Sequence, residues 1–409
     1  MHSARRHLAP SAICAITVVL AITTSVVADD IAWDANGAIG GAAWLTTTNW
    51  NPDTVPGSSD TAVFQDTSGS ATIEITVSNP TNNGTHNQIV GAISLTAGES
   101  KTIRNGSTGT DGTLTLAGVN GVLLSNSSTN LTLALQDGTS KFLNLDLAAS
   151  GTINVTSTTA TISIANSLGQ TGGSYGFTKT GAGTLLLSGT NTYTGNTIVN
   201  GGSLVLSTAG NNNIASSAKI VISSSATLNV SSVAGTGGFK VGANQTLAGS
   251  GNIEGSVTAD VSTATVMPGD TDSPGNLTLR SNFTLSSGKL AIESDSSSFS
   301  VLTVSGAVTL GGTLQLKAAH QPALNTPITI LNKTGVGAIS GIFSGLADNA
   351  YFHPDSGITG DWYKITYFGG TGNDIVISRQ AIPEPGSLAL LAVATSCLLR
   401  RRRREAVRD

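Results

Sequence analysis

Asp270 and Asp272, one residue apart in the stretch PGDTDSPG, are the best local pair of carboxylates in this 409-residue chain. Such a pair can cleave a glycosidic bond when one group protonates the leaving oxygen and the other acts as base or nucleophile. Their setting is a Pro- and Gly-rich connection, where acidic side chains commonly hydrogen-bond the turn backbone. Almost no Lys or Arg lies near them in the sequence to hold an acidic sugar. GGSYG, from Gly172 to Gly176, fits the G-x-S-x-G pattern, but that nucleophile needs a strand-to-helix elbow in an α/β sheet, and no strand–helix alternation surrounds Ser174. His86, His320 and His353 sit in turn-like contexts and form no motif. GGTGNDIVI, from Gly369 to Ile377, matches the calcium nonapeptide G-G-x-G-x-D-x-U-x and makes Asp374 the one metal-ligand candidate. Tandem copies normally share each ion, and here there is one copy. No catalytic residue and no cofactor is therefore assigned.

The elements that would position these residues are short and alternating. GTLTLAG at 112, NLTLALQ at 130, GTLLLSG at 183, GSLVLST at 202, ATLNVSS at 226, NLTLRSN at 276 and GTLQLKA at 312 each read as a strand with one buried face. The apolar members are Leu114 and Leu116, Leu185 and Leu187, Leu204 and Leu206, Leu228 and Val230, Leu314 and Leu316. Thr, Ser, Asn and Gly stand between them. No stretch from 65 to 345 keeps a helical period. The pattern returns after 19 residues from Leu185 to Leu204 and 22 from Leu206 to Leu228, the length of one solenoid coil. The expected fold is all-β, a right-handed parallel β-helix over 85–345 with coils of roughly 20 residues. A sandwich would favour tight hairpins instead.

Solenoid ends need caps, because an open coil is a template for aggregation. Trp33, Trp44, Trp50 and Phe64 gather at the front, and Tyr351, Phe352, Trp362, Tyr363, Tyr367 and Phe368 at the back. They predict aromatic-rich caps over 29–84 and 346–381. For the front cluster a carbohydrate-binding aromatic platform is the alternative to a cap.

Both ends of the chain carry addresses. Arg5 and Arg6 precede an apolar stretch, and small residues lead to Ala28, so 1–28 reads as a signal peptide cut after Ala28 by signal peptidase; an uncleaved anchor is the alternative. At the other end, 386–399 is apolar but only about 21 Å long as a helix, against a hydrocarbon thickness of roughly 30 Å. Arg400, Arg401, Arg402, Arg403 and Arg404 follow at once and belong on the cytoplasmic side. Cys14 and Cys397 are the only cysteines, one in each end segment, which excludes disulfides and thiol chemistry from the region between. Between Asp29 and Pro385 stand 12 cations and 22 carboxylates, a net charge of about −10 that argues against a nucleic-acid partner.

Two resemblances add to this reading. Pro383, Glu384 and Pro385, the apolar helix and the arginine block together resemble the PEP-CTERM sorting signal of bacterial surface proteins over 382–409. That resemblance implies processing near the triplet by an exosortase-type membrane protease after transient anchoring in the inner membrane. FTKTGAGTLLLSGTNTYTGNTIVNGGSLVL, Phe177 to Leu206, resembles the autotransporter-associated β-strand repeat of bacterial passenger domains, whose coils are structural. TTTNWNPDTVPGSSDTAVF at the front also resembles the opening segment of proteins with this repeat. A self-transporting outer-membrane barrel is disfavoured, since the chain ends in arginines rather than aromatic-girdled strands. The expectation is an exported cell-surface or matrix protein with a structural or adhesive role, not an enzyme, with extracellular polysaccharide as a partner. The alternative is a secreted β-helix carbohydrate-active enzyme, a glycoside hydrolase or polysaccharide lyase.

Overall fold

Alternation of Leu, Ile and Val with short polar residues becomes parallel stacking in the computed structural model, which describes residues 29–34, 42–65, 72–75, 86–97, 100–105, 111–128, 132–136, 142–207, 212–233, 237–357, 360–370 and 372–381. Among the described residues one 3-10 turn, Thr47–Asn49, is the only helix. Strands join two long sheets, face A with fourteen and face B with fifteen, and each coil crosses from B to A. A third face consists of two separate four-stranded ladders. One runs from His86–Val90 to Leu168–Gln170 and the other from Phe239–Lys240 to Val308–Leu310. The chain is a parallel β-helix.

Register shows why these residues choose this fold. On face B, Ile162, Leu185, Leu204, Leu228, Ile253, Leu279 and Val304 follow one another in successive coils, and every one is fully buried. Their neighbours Thr161, Thr184, Ser203, Thr227, Asn252, Thr278 and Thr303 form the matching outward row. A slip of one residue would exchange the two rows and put hydroxyls in the core, so the alternation fixes the register. Burying each Leu stabilises the stack by about 1.5–3 kcal/mol before entropy is counted. Leu187, Leu206 and Val230 also face inward, whereas Leu314 is only half-buried.

Coil length is less regular than the sequence period suggests. The step along face A is 31 residues from Ile31 to Ala62 and again to Ile93. It falls to 20 from Lys179 to Val199. Third-face strands do not set this length: the step is shortest, 19 residues, from Leu247 to Val266, a coil that includes Val257–Ala259 on the third face, while among the described residues the two coils around the repeat at 177–206 have no strand there. The parallel ladders also begin earlier than residue 85, since Asp30–Trp33 already pairs in parallel with Thr61–Phe64. The segment 29–84 therefore supplies coils as well as a plug.

Both ends of the stack switch to antiparallel pairing. At the front Trp50–Asn51 runs antiparallel to Asp30–Trp33. Trp33, Trp44, Trp50 and Phe64 lie with ring centroids 4.8–6.2 Å apart, and the Trp50 indole donates to the Trp44 carbonyl at 2.7 Å. None of the four is more than 2% exposed, so they form a plug and offer no ring face to a sugar. At the back Pro327–Lys333 pairs in parallel with Val301–Val304 and antiparallel with Asp374–Gln380, which pairs antiparallel with Trp362–Gly369. The reversal ends the repeat, and Tyr363 and Tyr367 close the core beneath it. Ala28 and the tail 382–409 lie outside the described residues, among which no helix is long and apolar enough to cross a membrane.

Leu187→Asp, which would place an unpaired carboxylate between Ile164 and Leu206, should lower stability by on the order of 4 kcal/mol in urea titration. An unchanged midpoint would contradict the inward assignment. The twelve parallel strands of face A from Asp30–Trp33 to Thr313–Ala318 give a rod about 53 Å long at 4.8 Å per step, which small-angle scattering would detect as an elongated particle.

Candidate functional site: the repeat coil and the acidic loop

Lys179 is the least expected residue in the repeat. It faces inward from Phe177–Thr180, in the column where Ile153 precedes it and Val199 follows, and it is fully buried. A buried ammonium must spend its donors. Lys179 Nζ donates to the carbonyls of Thr180 at 2.9 Å, Gly181 at 3.0 Å and Gly201 at 3.1 Å, tying its own turn to the turn of the next coil. The turn can approach so closely because Gly181 has φ +76° and a Cβ there would lie 2.1 Å from the Val155 carbonyl oxygen. Burial pushes the Lys179 ammonium down to about 8.

The second half of the repeat fills the corner left by the missing third-face strand. Tyr193, 1% exposed, packs on Phe177 with centroids 5.4 Å apart. Its hydroxyl meets Thr197 Oγ1 at 2.6 Å, and Thr197 meets Ser217 Oγ at 2.9 Å in the next coil. Asn191 accepts from the Leu168 N–H at 3.0 Å and donates to the carbonyl of Asn213 at 3.1 Å, so one side chain spans three coils. All these polar groups are consumed in holding coil to coil.

A second copy of the lysine turn stands at the back cap. Lys333-Thr334-Gly335-Val336-Gly337 repeats the pattern of Lys179-Thr180-Gly181-Ala182-Gly183, and Lys333 Nζ donates to the carbonyls of Gly335 and Val336, both at 2.8 Å. Sequence reading passed over this copy; the shared K-T-G-x-G string was the available signal. Asp374, the calcium candidate, accepts from the Lys333 N–H at 2.9 Å, while Asn373 donates to the Gly335 carbonyl at 3.0 Å. The GGTGND turn thus latches the antiparallel cap onto the last coil. No group of three His, Cys, Asp or Glu that could hold a metal ion occurs among the described residues.

The remaining candidates are separated. Ser174 Oγ lies 2.8 Å from Thr194 Oγ1, which also takes a bond from Gln170 Nε2 at 2.8 Å, so its hydroxyl faces an alcohol and an amide rather than a base. His320 donates to the Ser296 carbonyl and His353 to that of Asp361, each at 2.9 Å, and the His353 ring lies 3.8 Å from Trp362. His86 opens the strand His86–Val90, and its side chain lies outside the described part.

Asp270 and Asp272 have neighbours the sequence concealed. Asp270 is paired with Lys219 and Asp272 with Lys317, so the cations missing nearby in the chain arrive from other coils. Glu293 joins them, 3.6 Å from Lys317 Nζ and accepting from the Asp272 N–H at 3.3 Å. Burial alone would raise the Asp270 carboxyl, but hydrogen bonds from Lys219 and the Thr271 N–H prevail and hold it below the usual range. Burial and then the charge of Asp270 raise Glu293, with Lys219 opposing. Two carboxyls with opposite shifts face one loop.

Two long parallel sheets, an interrupted third face and a repeat coil spent on stacking define a parallel β-helix. The passenger-associated-transport-repeat family model matches residues 177–206, the coil built around Lys179 and Tyr193. No curated protein and no solved structure matches the chain. The repeat implies an exported surface protein.

Because the folded Lys179 ammonium titrates near 8 and an unfolded one near 10.5, the unfolded chain binds more protons between these values, and this residue's contribution to stability rises as pH climbs through that window. The stability of the wild type relative to Lys179→Met should therefore grow between pH 8 and 10.5 in urea titrations. A difference that stays flat or shrinks would place the ammonium in a solvated site.

Proposed function

We propose that this chain is an exported structural or adhesive protein of the bacterial cell surface or extracellular matrix. The observation that carries the reading is the repeat coil: its lysine, tyrosine, asparagine and glycines are engaged in coil-to-coil contacts, and a family model for passenger proteins matches the same residues. A stack of this kind is a rigid spacer with a long acidic exterior. Signal peptidase would cut after Ala28. The segment 386–399 would then hold the protein in the inner membrane with Arg400 to Arg404 in the cytoplasm, while an exosortase-type protease acts at Pro383, Glu384 and Pro385. Proline resists helix and sheet pairing, which keeps that triplet extended for the protease. Extracellular polysaccharide is the partner this location offers. Mass spectrometry of the protein from its native host should find a C-terminus near Pro385, without Cys397 or the arginine block. Replacing the five arginines with Ser should give mis-sorted, uncut protein. Full-length protein through Asp409 at the surface would replace the sorting signal with a plain anchor.

A second reading has one observation in its favour. Opposite shifts on adjacent carboxyls are how acid and base roles are divided, and Asp270 and Glu293 have them. The enzyme alternative therefore rests on Asp270 with Glu293 rather than with Asp272. Against a panel of matrix polysaccharides the structural reading expects no turnover from the wild type. Cleavage that disappears in both Asp270→Ala and Glu293→Gln would overturn it in favour of a carbohydrate-active enzyme.

A further inference from the structure

The two ladders of the third face leave a gap. Leu168–Gln170 ends the first and Phe239–Lys240 begins the second, while the coils between cross from Thr184–Leu187 to Thr197–Val199 and from Gly202–Leu206 to Lys219–Ile222 with no strand at this corner among the described residues. Beside the gap, along the leading edge of face A, lies an open notch of about 620 Å³. That volume is in the range of small-molecule sites, roughly 300–1,000 Å³.

Its lining is uncharged, polar groups set beside the apolar Ile198 and Ala218. Ser150, Thr152, Ser174, Thr178, Thr194 and Asn196 supply hydroxyl and amide groups around the nearly buried Phe177. The side chains of Thr152, Thr178 and Asn196 make no hydrogen bond to another described residue, and Asn196 is exposed. In the 72 residues from 147 to 218 the only charged side chain is Lys179, which is buried and tied to three carbonyls. None of the residues that line the notch is charged, and the nearest cation of its coils, Lys219 beside the lining Ala218, is partnered by Asp270.

These facts select the occupant by chemistry. A phosphate, a uronic acid or a sulfated sugar would lose its hydration and find no counter-charge. An extended peptide would need open backbone groups, but the exposed edge of Leu168–Gln170 is already used: Thr192 N–H donates to the Leu168 carbonyl at 2.9 Å, and the Leu168 N–H donates to Asn191. The Gln170 side-chain oxygen accepts from the N–H groups of Tyr175 and Thr194, so that side chain covers the rest of the edge. What remains is a ligand whose own groups both donate and accept without charge, as sugar hydroxyls do. We propose that the notch binds a short segment of uncharged polysaccharide, three coils wide. This deepens the adhesive reading and rests on it: the rod would display one neutral-glycan site at the place where its third face is interrupted.

Saturation-transfer NMR of the full chain with cellohexaose, maltohexaose and mannohexaose, and with hexagalacturonate as the anionic counterpart, tests this. At least one neutral hexasaccharide should receive saturation, and hexagalacturonate should not. Thr178→Trp and Ser174→Tyr, which fill the notch from a strand and from an exposed loop, should weaken that binding by at least roughly tenfold, about 1.4 kcal/mol. Thr309→Trp, exposed on the second third-face ladder, should leave it unchanged. Melting curves identify a variant that misfolds, and Ser174→Tyr, in an exposed loop, remains informative if Thr178→Trp does so. No transfer to any neutral hexasaccharide, transfer to hexagalacturonate alone, or full binding by both filled variants overturns the site. Failure of the surface reading is seen separately, as protein that protease added to intact cells leaves uncut.

Discussion

Each coil of this protein is stable only because another lies about 4.8 Å above it. That constraint acts on every residue at once: an inward side chain must match the column, and a backbone group must meet its neighbour's. The column from Ile162 to Val304 shows the first requirement met with aliphatic residues alone. The carbonyls around Lys179 show the second met where the chain turns too sharply for ladder bonds to continue.

The polar interior follows from the same constraint. Where a third-face strand is absent, a corner of the core would be empty and its backbone groups unpaired. Tyr193 fills the space, while Asn191, Thr197 and Ser217 pair the exposed polar groups between coils. Lys179 and Lys333 do the same at two turns with one long side chain each, the aliphatic stem lying in the column and the ammonium serving the carbonyls. The motif that identifies the repeat is thus a set of repairs to a coil without a third-face strand, and the notch beside it is the outer consequence of that absence.

The strands and their inward residues are legible in the sequence, because a period of two survives in any window of five residues. Leu185, Leu187, Leu204, Leu206, Leu228 and Val230 are all buried. The third face is not legible there: its ladders occupy the same place in the coil but are separated by the repeat, so no single period runs through them. Nor is the company of Asp270: Lys219 and Lys317 are 51 residues before it and 45 residues after Asp272, and only stacking brings them together.

By itself the sequence determined that the chain is an all-β stack, because alternation of Leu, Ile and Val with Thr, Ser and Asn can bury one face of a strand and nothing else. It determined which local motifs lack the context of their namesakes, since GGSYG without a helix holds no elbow. Tertiary structure alone decided how long each coil is and where charge accumulates. It also decided that four front aromatics form a buried plug rather than a platform. These depend on which residues stand one coil above and below, a relation that spacings varying from 19 to 31 residues conceal from any local reading.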